Sequence, residues 1–359
     1  EEGRARLVSA CPDPDILVTN MFSAEGLRIA SIPERFMGGA NPELHRHYVR
    51  HARGNTLLRN RGDGTFEDVT ETAGMAMGRW GWGALFVDLD NDGWEDIYAP
   101  NGFITNRNLA DVSGFFWRRV VGQSPPVPGE ATKAYRNAWE SIQHMVMGSG
   151  DSWAGHERNC VYLNLGGVRF ADVSFLSRGD FPDDSRAVAA VDWDDDGRLD
   201  LMLKSRTAPR LRFLRNTGPA AHYLKLDLRG TRCNRDAIGA TVLVDLGEQV
   251  LRKTLYAGDG YLSQSSKRLH FGLGESTAVR SASVRWPGGE TERFTGLAAD
   301  ARYLLVQGSG RAQPIAPAGE SAFAALEPAA ETRREAPIYR APLVDKLPNP
   351  IRGYAKVAL

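Results

Sequence analysis

The sequence is poor in cysteine, has no long apolar run and carries no net charge, and each absence excludes a class of protein. Its three cysteines, Cys11, Cys160 and Cys233, lie far apart and form no CxxC pair. They indicate neither a zinc knuckle nor a disulfide framework, and at most one disulfide can form. No apolar run approaches the roughly 18 residues of a membrane-spanning helix. With 44 basic and 44 acidic side chains, the chain has no field that would draw it to nucleic acid or to an anionic membrane.

Glycine, by contrast, is abundant, and the chain is long. Its 38 glycines indicate many tight turns, which are typical of all-β proteins. Its 359 residues are enough for two or three compact domains, each with its own core. The chain begins at Glu1 rather than at a methionine, as expected if a targeting segment has been removed or the chain has been clipped.

An internal repeat is the strongest sign of how the chain is organised. Asn60–Thr70 aligns with Asn164–Ser174, at an offset of 104 residues. Two aspartate-rich loops, Asp88–Asp96 and Asp192–Asp200, are separated by the same 104 residues. Two independent motifs thus keep one register, which is the signature of a propeller or solenoid.

A third copy of the repeat is fragmentary. Leu214–Gly218 resembles Leu58–Gly62, and Asp15–Asn20 resembles the apolar stretch that follows each aspartate loop. Residues 1–218 are therefore predicted to hold parts of at least three units, each built from short β-strands.

The composition of the chain predicts where the repeats are interrupted and where they end. A helical insertion is predicted at about residues 103–160, because apolar residues recur at helical spacing over Lys133–Met147. A similar insertion is predicted at about residues 27–53. Short, regularly spaced strands predict a small antiparallel sandwich or barrel over residues 219–310. Residues 311–359 are predicted to be an Ala- and Pro-rich linker and an extended C-terminal tail.

The two aspartate loops have the composition of calcium sites. Each places carboxylates at positions 1, 3, 5 and 9 and a glycine at position 6, where the backbone must turn sharply around an ion. Position 7 would contribute its backbone carbonyl. An EF-hand is excluded, because its twelve-residue loop and flanking helices are missing. The predicted ligands are Asp88, Asp90, Asp92, Trp94 and Asp96 in the first loop and Asp192, Asp194, Asp196, Arg198 and Asp200 in the second. The alternative is a pair of solvated acidic turns without metal.

These motifs resemble two known families. The loops, the signature at Asn60–Thr70 and the stretch Gly81–Gly83 resemble FG-GAP (VCBS) propeller repeats. Four later motifs resemble the ASPIC/UnbV domain, in its order: Asn234–Ala240, Gly260–Ser265, His270–Gly274 and Trp286–Gly289. The resemblance implies an all-β fold, with propeller-type blades and helical insertions followed by a small β domain. It also implies calcium at both loops and an extracellular, cell-surface or periplasmic location, with no catalytic residues to carry over. Only about three units are visible, fewer than such propellers usually have.

Several histidines allow both a functional and a structural interpretation. His45, His47 and His51 could ligate zinc or haem from one helix face, but the arginines around them favour exposed basic residues on an amphipathic helix. His156 could act as a general base beside Glu157. A structural hydrogen-bonding role fits His156 better, because no nucleophile motif lies nearby.

Two functional hypotheses of different classes follow. The first is a secreted or cell-surface module without catalysis of its own, which binds a protein or glycan ligand or copies of itself. Its tail, residues 336–359, could add a strand to a neighbouring subunit of an oligomer or larger assembly. The alternative is an enzyme, or an accessory factor of a biosynthetic pathway, with a site at the propeller centre or domain interface. That alternative requires a deep pocket with a titratable group outside the two loops.

Overall fold

The structure is a computed structural model that describes residues 14–127, 129–167, 169–316 and 356–358. Most of the predicted linker and tail, and also Cys11, lie outside the described residues. Cys160 and Cys233 are free thiols, and Cys160 is buried. Within the described ranges, no helix combines the length and apolar character needed to cross a membrane.

Over all described residues strand (34%) outweighs helix (17%), which confirms the mostly-β prediction. Before residue 219 the strands are short and antiparallel. They form three sheets, and in each the strands follow one another in chain order. The first sheet holds β1 (Ile16–Val18), β2 (Thr56–Asn60) and β3 (Phe66–Asp68). The second holds β4 (Leu85–Val87), β5 (Asp96–Ala99), β6 (Cys160–Asn164) and β7 (Phe170–Asp172). The third holds β8 (Ser185–Val191), β9 (Asp200–Ser205) and β10 (Leu211–Arg215).

The third sheet gains a further strand from the far end of the chain. Strand Lys356–Ala358, the last in sequence and β19 in our numbering, pairs in parallel with β10. The tail segment that was predicted to add a strand to a neighbouring subunit therefore pairs with its own chain in this structure.

One hydrogen bond recurs in all three sheets and shows that the units are structurally equivalent. In each unit an aspartate lies at the start of one strand or just before it. Its side chain accepts the backbone N–H of an asparagine that lies at the end of the next strand or just after it. These bonds join Asn60 to Asp15 (2.7 Å), Asn164 to Asp96 (2.8 Å) and Asn216 to Asp200 (2.7 Å). The two fragments of the predicted third copy thus lie in different sheets: Asp15–Asn20 belongs to the first sheet and Leu214–Gly218 to the third.

Two helical insertions lie between the strands. The first, between β1 and β2, contains α1 (Ala24–Ala30), a 3-10 turn (Pro33–Arg35) and α2 (Pro42–Ala52). The second, between β5 and β6, contains α3 (Ser113–Phe115), a π-helical turn (Phe116–Val120), a 3-10 turn (Val121–Gln123) and α4 (Lys133–Gln143), which continues as a π-helical turn (His144–Ser149). A short α5 (Ser174–Ser177) follows β7. The side chain of Thr132 caps α4, and Ala138, Ile142 and Val146 are buried along one of its faces.

An aromatic cluster packs the second insertion against the sheets. The ring of Trp153 lies 5.1 Å from that of Phe103, 5.9 Å from Trp80 and 6.0 Å from Trp139 on α4. Trp80 also stacks flat on Phe103 at 4.8 Å. Stacked and edge-on pairs of this kind add to the stability that ring burial provides. The cluster therefore fixes the position of the insertion.

The C-terminal domain is a sandwich of two four-stranded sheets. One has the order β14-β11-β17-β18 and the other β13-β12-β15-β16. Their bounds are β11 (His222–Arg229), β12 (Thr241–Asp245), β13 (Val250–Thr254), β14 (Leu269–Gly274), β15 (Ser281–Arg285), β16 (Thr291–Phe294), β17 (Ala301–Val306) and β18 (Ala312–Ile315). Leu226, Val244, Phe271 and Val284 belong to the core that the sheets share. Strand β18 extends past residue 310, the predicted end of the domain.

Candidate metal centres

The first aspartate loop connects β4 to β5 and turns its carboxylates inward. Asp88 is buried, and its Oδ2 accepts the backbone N–H of Gly93 at 3.0 Å. Its Oδ1 is also buried but has no hydrogen-bond partner. Gly93 has a φ of +88°, which is why the loop needs glycine at position 6. A buried carboxylate oxygen without a partner is a position that a cation would satisfy.

Three carboxylates of the first loop converge. Ligand oxygens of Asp88, Asp90 and Asp96 lie within 4.8 Å of one another. Asp96 is held in place by two backbone N–H groups, that of Asn164 at 2.8 Å and that of Leu89 at 2.9 Å. Asp96 thereby joins the start of the loop, at Leu89, to the end of β6, at Asn164, so that the position of its oxygens is fixed by the fold.

The second loop connects β8 to β9 and repeats this geometry with one difference. Asp192 accepts the N–H of Gly197 at 2.9 Å through Oδ2, while the Oδ1 atoms of Asp192 and Asp194 are buried and without a hydrogen-bond partner. Asp192, Asp194 and Asp196 form the converging group. Asp200 occupies the position of Asp96 but lies outside that group.

Six of the ten predicted ligands are therefore brought together by the fold. Asp92 lies outside the first group, and its Oδ1 accepts the N–H of Trp94 at 2.8 Å. The groups consist of side chains only, so the backbone carbonyls of Trp94 and Arg198 stay predicted ligands. Asp92 and Asp200 stay predicted ligands as well.

The carboxyl groups of the loops are held in surroundings that disfavour their charge. Burial raises the pKa of Asp88 well above its usual range, and the nearby carboxylates of the loop raise it further. Burial raises the pKa of Asp96 to about 9 and that of Asp92 to about 6. In the second loop burial raises the pKa of Asp200 to about 6. A bound cation would relieve this cost.

A small cavity lies beside the first loop; its lining includes the basic side chains of Arg252 and Lys253 and neither Asp90 nor Asp96. The cavity, of about 10 Å³, lies beside Asp88, between Gly93, Glu95, Lys253 and Gly272. That volume holds about one water-sized sphere. Oxygen donors within a few ångströms of one another are the ligand set that calcium prefers. The residues present therefore fit a hard divalent cation.

A buried asparagine joins the two loops to each other and to the C-terminal domain. The side-chain N–H of Asn91 donates to the Gly197 carbonyl at 2.8 Å, and its Oδ1 lies 2.8 Å from Nε2 of His270. The N–H of Gly274 donates to the Asn91 carbonyl at 2.7 Å. Burial lowers the pKa of His270 well below its usual range, so the ring is neutral. Since Oδ1 can only accept, Nε2 of His270 carries the proton.

The sequence patterns did not reveal the basic residues at the loops. Lys225 and Lys253 both come from the C-terminal domain: Lys225 contacts Asp192, and Lys253 lies 2.5 Å from Glu95. A signal for Lys225 was present, because the leucines of β11 alternate with polar residues. That alternation turns Lys225 away from the core of its own domain.

The histidines have structural surroundings. Nε2 of His45 contacts the Ala30 carbonyl, and His51 packs near the ring of Trp117. The backbone N–H of His156 donates to Thr105 at 2.8 Å. In the described part of the chain, the groups of three or more His, Cys, Asp or Glu that could hold a metal are the two aspartate loops.

Comparisons with known proteins agree with these two parts of the chain. Residues 47–99 match the family described as FG-GAP-like repeat, and residues 230–312 match the family described as ASPIC and UnbV. Cartilage acidic protein 1 of Xenopus tropicalis is 28% identical over 252 residues, which cover 66% of this chain and 38% of that protein. The Homo sapiens protein of the same name is 27% identical over 257 residues, covering 66% and 37%. The chain thus spans less than two fifths of the length of these curated relatives.

The two matched families indicate a binding or adhesion module of extracellular type, at the cell surface or outside the cell. They also confirm the resemblance that the sequence motifs predicted. The chain therefore carries an FG-GAP-like repeat and an ASPIC and UnbV domain, and it is homologous to cartilage acidic protein 1.

Proposed function

We propose that this chain is a secreted or cell-surface binding module that is stabilised by calcium at its two aspartate loops and has no catalysis of its own. One observation carries the proposal: each loop holds a buried carboxylate oxygen without a partner, Oδ1 of Asp88 in the first and Oδ1 of Asp192 in the second. Both oxygens lie in converging carboxylate groups. Such groups are costly to bury unless a cation is bound.

In this proposal calcium supplies positive charge and oxygen coordination, and it performs no chemistry on a substrate. Asp88, Asp90 and Asp96 would hold one ion. The equivalent group at Asp192, Asp194 and Asp196 would hold the other. Extracellular modules bind calcium with dissociation constants of about 0.1 to 1 mM, so a site of that affinity would hold its ion outside a cell and lose it inside one.

The three sheets would be blades of a β-propeller. Each keeps its strands in chain order, and both aspartate loops join the first two strands of a four-stranded sheet. Meandering four-stranded sheets are the unit from which propellers are built. Calcium would stiffen the β4–β5 turn of the second blade and the β8–β9 turn of the third, both of which contact the C-terminal domain.

The partner would be a protein or glycan ligand, or further copies of the chain. The inserted helices and the loops between strands offer surface for a ligand. Strand addition by the tail would join copies, because β10 already accepts Lys356–Ala358 as a parallel neighbour. Deleting residues 336–359 should then reduce self-association in analytical ultracentrifugation. An unchanged association state would remove the tail from the proposal.

Thermal unfolding with calcium and after chelation tests the metal proposal. Calcium at about 100 times its dissociation constant should raise the free energy of unfolding by about 2.7 kcal/mol per site, because it binds the folded state alone. The double variant Asp90→Ala plus Asp194→Ala should lose this gain and its bound metal. Metal content is measured by atomic emission.

A matched control separates the loops from acidic turns in general. Asp63 lies in an exposed hairpin turn, where it accepts hydrogen bonds from Thr65. Asp63→Ala should keep the full calcium response. If chelation did not change the thermal stability of the unaltered chain and no bound metal were found, both loops would be acidic turns without metal. That result would overturn the proposal.

A further inference from the structure

The two aspartate loops align residue for residue in the sequence, but their electrostatic surroundings differ. We propose that basic side chains around the second loop supply part of the positive charge that a bound ion would otherwise supply. As a result, the second loop binds calcium at least tenfold more weakly than the first loop. This inference rests on the proposed function, since it concerns the calcium sites.

The C-terminal domain inserts a buried lysine into the second loop. Lys225 is 1% exposed. Its Nζ contacts Asp192 and lies 2.6 Å from Asp195. The ammonium group is thus engaged by two carboxylates of the loop, one of which is the proposed ligand Asp192.

Three arginines add to this charge. Arg215 binds Oδ2 of Asp194 through two nitrogens, Nη2 at 2.6 Å and Nε at 2.7 Å. It also reaches Asp196 at 3.5 Å, and Arg198 contacts the same carboxylate. Arg268 lies 3.9 Å from Asp195. Four of the five carboxylates of this loop thus have a basic partner.

The first loop lacks these partners. In the described residues, Asp88, Asp90 and Asp92 form no ion pair within 4.0 Å. Lys253 pairs with Glu95 and, together with Arg252, lines the cavity beside Asp88, so basic charge lies near this loop without forming an ion pair with these three carboxylates. The substitutions that remove the basic groups can be read from equivalent positions of the two units. Trp94 stands at the position of Arg198. Leu163 corresponds to Arg215, because each directly precedes the asparagine, Asn164 or Asn216, that makes the recurring hydrogen bond.

A divalent cation that enters the second loop therefore meets charge of its own sign. The Oδ1 atoms of Asp192 and Asp194 remain available for coordination, but their other oxygens are engaged by Lys225 and Arg215. Repulsion between close charges is strong where water is excluded. The second loop also keeps its shape without metal, because the basic groups already hold it together.

Calcium titration of single-loop variants tests the inference. Isothermal titration calorimetry on the full chain should show two sites for the unaltered protein. Asp194→Asn, which weakens the second loop, should keep the tight site. Asp90→Asn should leave only a site at least tenfold weaker.

Two further variants act on the basic groups. Arg215→Leu copies Leu163 of the first loop and should tighten the weak site severalfold, and Lys225→Met should do the same. Arg215 is partly exposed, so its variant serves if the buried Lys225→Met does not fold.

The outcomes distinguish this inference from the calcium proposal. Two sites of equal affinity would contradict the difference in affinity between the loops but would still support calcium binding. A tight site that survives in Asp90→Asn but not in Asp194→Asn would do the same. No binding to the unaltered chain would overturn the calcium proposal, and with it this inference.

Discussion

Glu157 is a half-buried acidic residue whose charge state depends on pH near neutrality. Its Oε2 accepts the backbone N–H of Trp80 at 2.8 Å. Burial raises its pKa to about 7; Trp80 and Arg79 oppose the shift, and Asp111 and Glu25 add to it. The folded state therefore holds a proton on Glu157 at pH values where the unfolded chain has lost it.

Raising the pH should accordingly destabilise the protein through Glu157. Its contribution is fully present below about pH 4.5 and is lost by about pH 7, on the order of 2–3 kcal/mol at most. Glu157→Gln should show a smaller fall in the free energy of unfolding over this range, measured by urea denaturation at several pH values. The exposed Glu248→Gln controls for the loss of one charge. Equal pH dependence of Glu157→Gln and the unaltered chain would contradict the assignment.

At the residue scale, the sequence predicted what is local. The converging aspartates could be predicted because their spacing lies within nine-residue loops. The partners that come from elsewhere could not. Asn91 and His270 are 179 positions apart, and Lys225 lies 30 positions from Asp195. Nothing in a linear pattern shows which distant strand will pack on a loop.

Strand β14 packs closely against the first loop. A Cβ on Gly272 would lie 2.1 Å from Oδ2 of Asp88 and 2.5 Å from Cα of Asn91. Gly272→Ala should therefore push β14 away from the loop and cost about 1–3 kcal/mol of stability, as overpacked sites do. Chemical denaturation measures the loss, and calcium affinity of the first loop should fall with it.

A second glycine provides the comparison for this variant. A Cβ on Gly114 would have its nearest neighbour at 3.8 Å, so Gly114→Ala should be tolerated. Similar losses for Gly114→Ala and Gly272→Ala would show that the contact between β14 and the loop does not carry the effect.

Elements with a strong local pattern were predicted well. The apolar face of α4 and the strands of the C-terminal domain follow from helical and alternating spacing. Strand β18 was missed, because Ala312–Ile315 continues into an Ala- and Pro-rich stretch and becomes a strand only by pairing with β17. The pairing of β10 with Lys356–Ala358 likewise joins segments far apart in the chain.

At the scale of the whole molecule, the loops are the joint between the repeats and the C-terminal domain. Calcium should therefore slow amide hydrogen exchange in β14, although this strand contains no proposed ligand. The reason is that Gly274 and His270 both bond to Asn91, inside the first loop. Hydrogen exchange with mass spectrometry measures the effect.

The opposite sheet of the same domain is the reference for that measurement. Strand β16 (Thr291–Phe294) lies at an edge of the other sheet and should exchange at the same rate with and without calcium. If calcium also left the exchange rate of β14 unchanged, calcium binding at the loops would not stabilise the contact with the C-terminal domain.

The aromatic cluster around Trp153 gives the molecule an optical signal of its own. Trp80, Trp139 and Trp153 have ring centres about 6 Å apart along the chain of contacts. Indoles this close couple their excited states and produce strong near-ultraviolet circular dichroism. A loss of this signal will therefore report that the packing of the second insertion has loosened.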